Sequence, residues 1–375
     1  MTTIRDAGPG PAAPIQPQLR PGGGLLTEDR PRPLSKTTVD DTVSLLGSLF
    51  GALGLVWVIY EELLPFSGVL GFLICWYLTF LALYAAVTAL SHPRPVVVDR
   101  VMRAVITGAG LVIAFALGTV ILYTFVQGWP ALHHLNFFTK DMTGVSPNEP
   151  LNRGGVLHAI VGTAIELAIA TSVALPFGIA AAIYMTEVGG RFSRVVRTVV
   201  EAMTALPDLI AGLFIYVALI VALGLPKSGL AAGLALMITM TPIIARSAEV
   251  ALRVVPGGLR EAGLALGAPK RRVVRSVVLP SAGSGLATAL ILAVARAVGE
   301  TAPLLIVSGA SSFLTFNPVS NPMNSLPLYI FTMWATGEPN GITRAFGAAS
   351  LLLVIVFVIF ALIRLLASRG KGTSR

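Results

Sequence analysis

The sequence predicts an all-α polytopic membrane protein with eight transmembrane helices. Three observations carry that prediction. Eight apolar runs of roughly 20 residues or more recur along the chain, each long enough to cross a hydrocarbon core of about 30 Å. Only 12% of the 375 residues are charged, about half the share usual in a soluble domain, and 55% are hydrophobic. The Lys and Arg residues gather in alternate connections, as they do in chains whose cytoplasmic loops hold the bases. That distribution accounts for the net charge of +9 without invoking a nucleic-acid surface. The single cysteine, Cys75, lies within an apolar run, so neither a disulfide framework nor a Cys-based metal site is expected.

Residues 1–41 are rich in Pro and Gly and show no apolar period. Such a segment buries too little surface to offset its ordering entropy, and it lacks the apolar core and cleavage site of a signal peptide. It is expected to be a disordered cytoplasmic tail. A transmembrane hairpin follows over 42–95, with spans at about 43–64 and 67–90 joined by a short turn at 64–68. Arg94, Arg100 and Arg103 then mark a cytoplasmic loop, and a third span covers about 104–127. Trp129 suits a membrane interface, and the polar segment 128–154 reads as an outside loop containing His133 and His134. The fourth span, about 155–186, precedes Arg191, Arg194 and Arg197 inside; the fifth, about 199–224, and sixth, about 230–252, are joined by an outside turn. A seventh span at about 281–310, an outside loop to about 340 without Lys or Arg, and an eighth span at about 342–366 complete the chain. The tail 368–375 is again basic. Both termini therefore fall on the cytoplasmic side.

The segment 253–280 departs from its apolar surroundings. Arg253, Arg260, Lys270, Arg271, Arg272 and Arg275 place it in the cytoplasm. Within it Glu261 and Ala262 are followed by Gly263 and Gly267, four residues apart and expected on one helix face, where the missing Cβ permits close approach. Gly267-Ala268-Pro269 then breaks the helix, and a basic run leads to Leu279-Pro280, so the segment reads as a short helix, a turn and a second helix. This order resembles the EAA loop of ABC importer permeases, with Gly263 standing where a second Ala is usual. The resemblance implies that Glu261, Ala262, Gly263, Gly267 and Pro280 belong to a coupling element that docks into a partner ATPase.

Ionisable residues within spans are costly and mark pathways or ion pairs. The sixth span holds Arg246 and Glu249; the seventh holds Arg296 and Glu300, four apart on one helix face between Gly299 and Pro303, with Thr301 adjacent. Two arginines on neighbouring spans suit a dianion, because a guanidinium fork binds phosphate oxygens with paired charge-assisted bonds. Two structural ion pairs are an equal alternative from these residues alone. Glu166, Glu201 and Asp208 also lie in or near spans and are expected to meet backbone or partner charges rather than substrate.

Arg296-Ala297-Val298-Gly299-Glu300-Thr301-Ala302-Pro303, following an EAA-type loop, resembles the phosphate-specific branch of these permeases, and within it the PstA-type family. The segments 206–214 and 242–249 resemble the same branch. The likeness implies a six-helix permease core over 96–367, to which the N-terminal hairpin is an accessory. It implies that Arg246, Arg296, Glu300 and Thr301 line a phosphate path. It also implies a second permease subunit of the PstC type, ATPase subunits of the PstB type, a phosphate-binding protein of the PstS type, and a multi-pass place in a bacterial cytoplasmic membrane. The chain has no Gly-x-x-x-x-Gly-Lys-Ser/Thr loop, so no enzymatic activity and no cofactor are expected in it. ATP and Mg would be bound by the partner ATPase. Alternatives are a permease for another oxyanion such as molybdate or sulfate, a secondary transporter, and a membrane-embedded enzyme acting on lipid phosphates, for which no nucleophile or metal cluster is visible.

Overall fold

A computed structural model describes residues 39–63 and 68–369. The expected tails, and most of the turn between the first two spans, lie outside the described residues. The described chain is helical, and two compact units divide it after Ala114. The sequence boundary at 95/96 instead coincides with the start of a helix at Arg94.

In the first unit, α1 (Val39–Trp57) continues through a wide turn to Leu63 and pairs with α2 (Val69–Ser91). Ala52, Phe80 and Tyr84 are buried between them, the two rings stacked with centroids 5.8 Å apart. Polar side chains close the packing: the Trp76 indole donates to Leu49 O at 3.1 Å, and Arg100 pairs with Asp41. Cys75 is exposed on the apolar surface. His92-Pro93 breaks the chain, and α3 (Arg94–Leu132) then runs for 39 residues, about 58 Å. The third span is thus longer than the expected 104–127, and Arg94, Arg100 and Arg103 sit on its first turns rather than in a loop.

The second unit holds the rest of α3 and the remaining helices. A loop containing His133 and His134 leads to α4 (Leu135–Thr139), and an irregular segment leads to α5 (Leu157–Ile183), which ends in a wide turn at Tyr184–Val188. Then follow α6 (Gly190–Ala205), α7 (Asp208–Ile215, extended to Val221) and α8 (Gly229–Arg253). The Ser228 hydroxyl caps α8 by accepting from Ala231 N. Next come α9 (Gly257–Ala265), α10 (Lys270–Val273), a wide turn, α11 (Leu279–Ser281), α12 (Gly283–Val298), α13 (Ala302–Val307), α14 (Leu326–Ala335) and α15 (Pro339–Arg369).

Among the described residues six helices are long and apolar enough to cross a membrane, and two bent pairs bring the number up to eight. The bent pairs correct the expectation of straight fifth and seventh spans. Residues 190–205 and 208–221 meet at 102°, because Pro207 forces Leu206 out of the helical region to φ −70°, ψ 131°. Residues 270–281 and 283–298 meet at 69°, and a further break at Gly299–Thr301 ends α12 within the expected span to 310, where Gly299 and Pro303 favour a kink. The outside loop after it is not wholly irregular either. Its base-free stretch folds the apolar α14, a helix too short to read as a span.

Small residues let the core helices of this unit approach. A Cβ on Gly178 of α5 would meet Ile244 of α8 at 2.6 Å, and one on Gly233 of α8 would meet Ile169 at 2.7 Å. Buried Ala170, Ala174, Ala231, Ala232, Ala235, Ala293 and Ala297 fill the same seam. At one end Arg344 of α15, 1% exposed, donates to the carbonyls of Pro147, Pro150 and Arg153 at 2.6–2.9 Å and so holds the segment before α5.

Candidate substrate path and coupling loop

The break between α6 and α7 and the break between α12 and α13 lie against each other. Gly212, one turn into α7, makes this possible: a Cβ there would stand 2.7 Å from the Pro303 backbone of α13. Asp208 opens α7, and Arg296 closes α12. Arg296 Nη2 lies 2.8 Å from Asp208 Oδ2, and its Nε lies 3.2 Å from Glu300 Oε1. Nη1 has no protein partner among the described residues, which leaves one edge of the guanidinium open to an oxyanion. Thr301 heads α13 but does not cap it through its hydroxyl; its carbonyl accepts from Leu305 N at 3.1 Å.

Arg296 stands about 20 Å along α12 from the cytoplasmic-loop end, yet its side chain is 55% exposed. A small cavity of about 30 Å³ lies beside it, lined by Asp208, Thr239, Pro242 and Ile243. That is room for a water or two and not for a phosphate.

Arg246 is held separately. Its Nη1 lies 3.1 Å from Glu201 Oε1 of α6 and 3.8 Å from Glu249 Oε2. The local pair read from the sequence is thus the weaker contact. Glu249, 3% exposed, is taken instead by Arg197 and Arg253, each at 2.6 Å. Sequence reasoning left Glu201 and Asp208 out of the site. Both do meet partner charges, as expected of them, and those charges are Arg246 and Arg296. Their signal was the Leu206-Pro207-Asp208 turn, which joins the consecutive helices that carry Glu201 and Asp208.

The coupling segment folds as helix, turn, helix. Gly263 lies within α9, where a Cβ would meet Val273 at 3.0 Å. Gly267 does not share its face. It lies beyond the helix at φ +78°, with its N–H on Leu264 O at 2.9 Å, and ends α9 as a left-handed glycine. Glu261 and Ala262 are exposed, as are Leu259, Leu264 and Leu266, the last at 88%. Pro280 enters α11 just before the 69° bend.

The model of the binding-protein-dependent transport system inner membrane component family matches residues 174–371, which hold both sites. The chain belongs to that family. Relatives of this inner membrane component include the phosphate transport system permease protein PstA 1 of Mycobacterium tuberculosis, 38% identical over 249 residues, 65% of this chain and 81% of that protein. The phosphate transport system permease protein PstA of Pasteurella multocida is 33% identical over 242 residues, 64% of this chain and 84% of that protein. Among solved structures, an inward-facing MetNI methionine ABC transporter is similar at TM-score 0.45 and 25% identity, covering 59% of this chain and 95% of that one. Membership makes this family member a multi-pass inner membrane protein and a non-enzymatic transmembrane subunit of a transport system.

Proposed function

We propose that this chain is the permease subunit of an ATP-driven importer that moves inorganic phosphate across the cytoplasmic membrane of a bacterium. The observation that carries the reading is Arg296: a half-exposed guanidinium inside an apolar helix pair, held at two points by acids and open at its third nitrogen. A charge at that depth is costly unless it faces water or another subunit. A second permease subunit, of the PstC type, would cover this face and complete a path whose residues here are Arg246, Arg296, Glu300 and Thr301. The similarity to phosphate permeases supports phosphate as the cargo.

Glu261, Ala262, Gly263, Gly267 and Pro280 shape the surface offered to ATPase subunits of the PstB type, which would bind ATP and Mg. A phosphate-binding protein of the PstS type would deliver substrate on the opposite side. The basic loops support a cytoplasmic position for both termini. The test is uptake by the purified complex in sealed vesicles. ATP-dependent accumulation of radiolabelled phosphate, not displaced by excess sulfate or molybdate, is expected. Uptake of those anions in place of phosphate, uptake without ATP, or turnover of phospholipid would each replace this reading with the corresponding alternative.

A further inference from the structure

Helix α9 is held against the ends of α5 and α8 at one guanidinium. Arg260, in its first turn, places Nε and Nη2 at 3.1 and 2.9 Å from Glu187 Oε1, in the wide turn that ends α5. Its Nη1 donates to Val255 O at 2.6 Å, and Nη2 also donates to Leu252 O at 2.8 Å, at the end of α8. Glu187 is 8% exposed, so the pair is largely shielded from solvent. The geometry suits arginine alone: a planar fork reaches a carboxylate and two carbonyls at once, where a lysine ammonium is a single point. The Leu252 carbonyl belongs to the last turn of α8, whose end carbonyls lack helical partners, so the cation also complements that terminus.

The backbone link between α8 and α9 is only Val254–Pro256, and Val254 is 76% exposed. Across that short link the guanidinium is the contact that ties α9 to α5 as well as to α8. These two helices pack closely against each other at Gly178 and Gly233. Gly263 of α9 rests on Val273 of α10. A displacement of α9 is therefore delivered to the α5–α8 pair through Arg260.

We propose that Arg260, clamped on Glu187, is a positioning residue that transmits movement of the coupling helix to the α5–α8 pair. The proposal rests on the reading of this chain as an ATP-driven permease. If the pair only stabilised the fold, its loss would lower the amount of complex and leave phosphate moved per ATP unchanged.

The experiment reconstitutes the complete complex and measures phosphate transported per ATP hydrolysed for wild type, Arg260→Gln and Glu187→Gln. For Arg260→Gln the ratio is expected to fall about tenfold, the scale of a typical coupling free energy, with ATP hydrolysis per assembled complex retained. Glu187→Gln keeps an acceptor for the fork and is expected to lower the ratio a few-fold; it carries the test should Arg260→Gln fail to assemble. An unchanged ratio in the assembled variants, or transport and hydrolysis falling in equal proportion, overturns the proposal. A wild-type complex that moves no phosphate on ATP addition would instead refute the permease reading, which separates the two failures.

Discussion

Arg296 and Asp208 meet at 2.8 Å across two helix breaks, although 102° and 69° bends separate their helices from the segments that precede them. The contact decides how a role in phosphate passage is tested. Neutralising Arg296 and Glu300 together would leave Asp208 as an unpaired acid in the same place. The clean comparison is the triple variant Arg296→Gln, Glu300→Gln, Asp208→Asn, which removes every charge of the cluster. If the cluster were only a packing ion pair, the triple variant would transport normally, since apolar or neutral replacements of buried pairs are often tolerated. A guanidinium that touches phosphate cannot be replaced this way. Uptake is expected to stay depressed by roughly 30- to 150-fold, the effect of losing about 2–3 kcal/mol of charge-assisted contact. Arg296→Lys is expected to be damaging too, because a point charge cannot hold two acids and an oxyanion. Recovery of uptake in the assembled triple variant would remove Arg296 from the path.

Gly212 sets this meeting. Gly212→Val would drive a branched side chain into the Pro303 backbone, which the ideal Cβ already approaches at 2.7 Å. Backbone cannot rotate aside as a side chain does. The expected cost is of the order of 1–3 kcal/mol, as for overpacking, with α7 and α13 forced apart and uptake lost. Gly110, about which no heavy atom lies within 4 Å, is the control: Gly110→Val should express and insert as wild type. Equal behaviour of the two variants would show that the close approach is not needed.

At the coupling turn the limiting property of Gly267 is conformation and not space. Nothing lies within 4 Å of a Cβ there, but φ is +78°. Effects of substitution should therefore follow tolerance of the left-handed region: Gly267→Asn mild, Gly267→Ala about 1 kcal/mol, Gly267→Val worse. Phosphate-stimulated ATP hydrolysis by the complex measures the order. An order set by side-chain volume alone, with Asn worse than Ala, would mean that the turn meets a tight surface on its partner.

The legible parts of this molecule were those carried by composition and local order. Apolar run length and alternating bases marked the spans, and the order of residues from Glu261 to Pro280 announced a helix, a turn and a second helix. What stayed hidden depends on contacts between distant residues. Asp208 reads as one acid after a proline until α7 is set against α13. Arg260 reads as another base of a basic loop until Glu187, remote in sequence, is brought beneath it. The 102° bend was written in Leu206-Pro207, but a span count registers hydropathy and not direction. Gly267 was placed on the face of Gly263 because their spacing fits a helix; the helix had already ended at Ala265.

Outside the spans, Asp141 links two connections that sequence separates. Its carboxylate accepts from Leu314 N at 2.9 Å and from the Thr143 N–H and hydroxyl at 3.2 and 3.0 Å. Partial burial opposes its ionisation, but the bonds from Leu314 and Thr143 prevail and hold its carboxyl below the usual 3.8. A depressed folded value means that its contribution is present above the unfolded pKa and is lost only as pH falls through the lower folded value. Protease resistance of the segment 140–155 should thus be unchanged between pH 7 and pH 5. Asp141→Asn should weaken it at both, because the amide accepts less strongly from three donors. Loss of resistance on moving to pH 5 would assign the link to another group.

The N-terminal hairpin is expected to be dispensable for transport. Ala52, Phe80 and Tyr84 form a core within α1 and α2, the Trp76 indole donates to Leu49 O, and Tyr77 and Asp41 reach Ala104 and Arg100 on the first turns of α3. No Asp, Glu, Lys, Arg or His lies between Val43 and Tyr60 or between Gly68 and Leu90, so the hairpin offers an anion no charged contact. Helix α3 starts at Arg94, so removing residues 1–93 leaves α3 whole. It would bare the Tyr77 contact near Gly108, where an apolar helix surface can meet lipid instead. Phosphate uptake by the shortened chain, assembled with its partners, is expected within about twofold of the full chain, because surface changes away from a site alter free energies by about 0.5 kcal/mol or less. Complete loss of uptake with assembly intact would place the hairpin in the transport cycle itself.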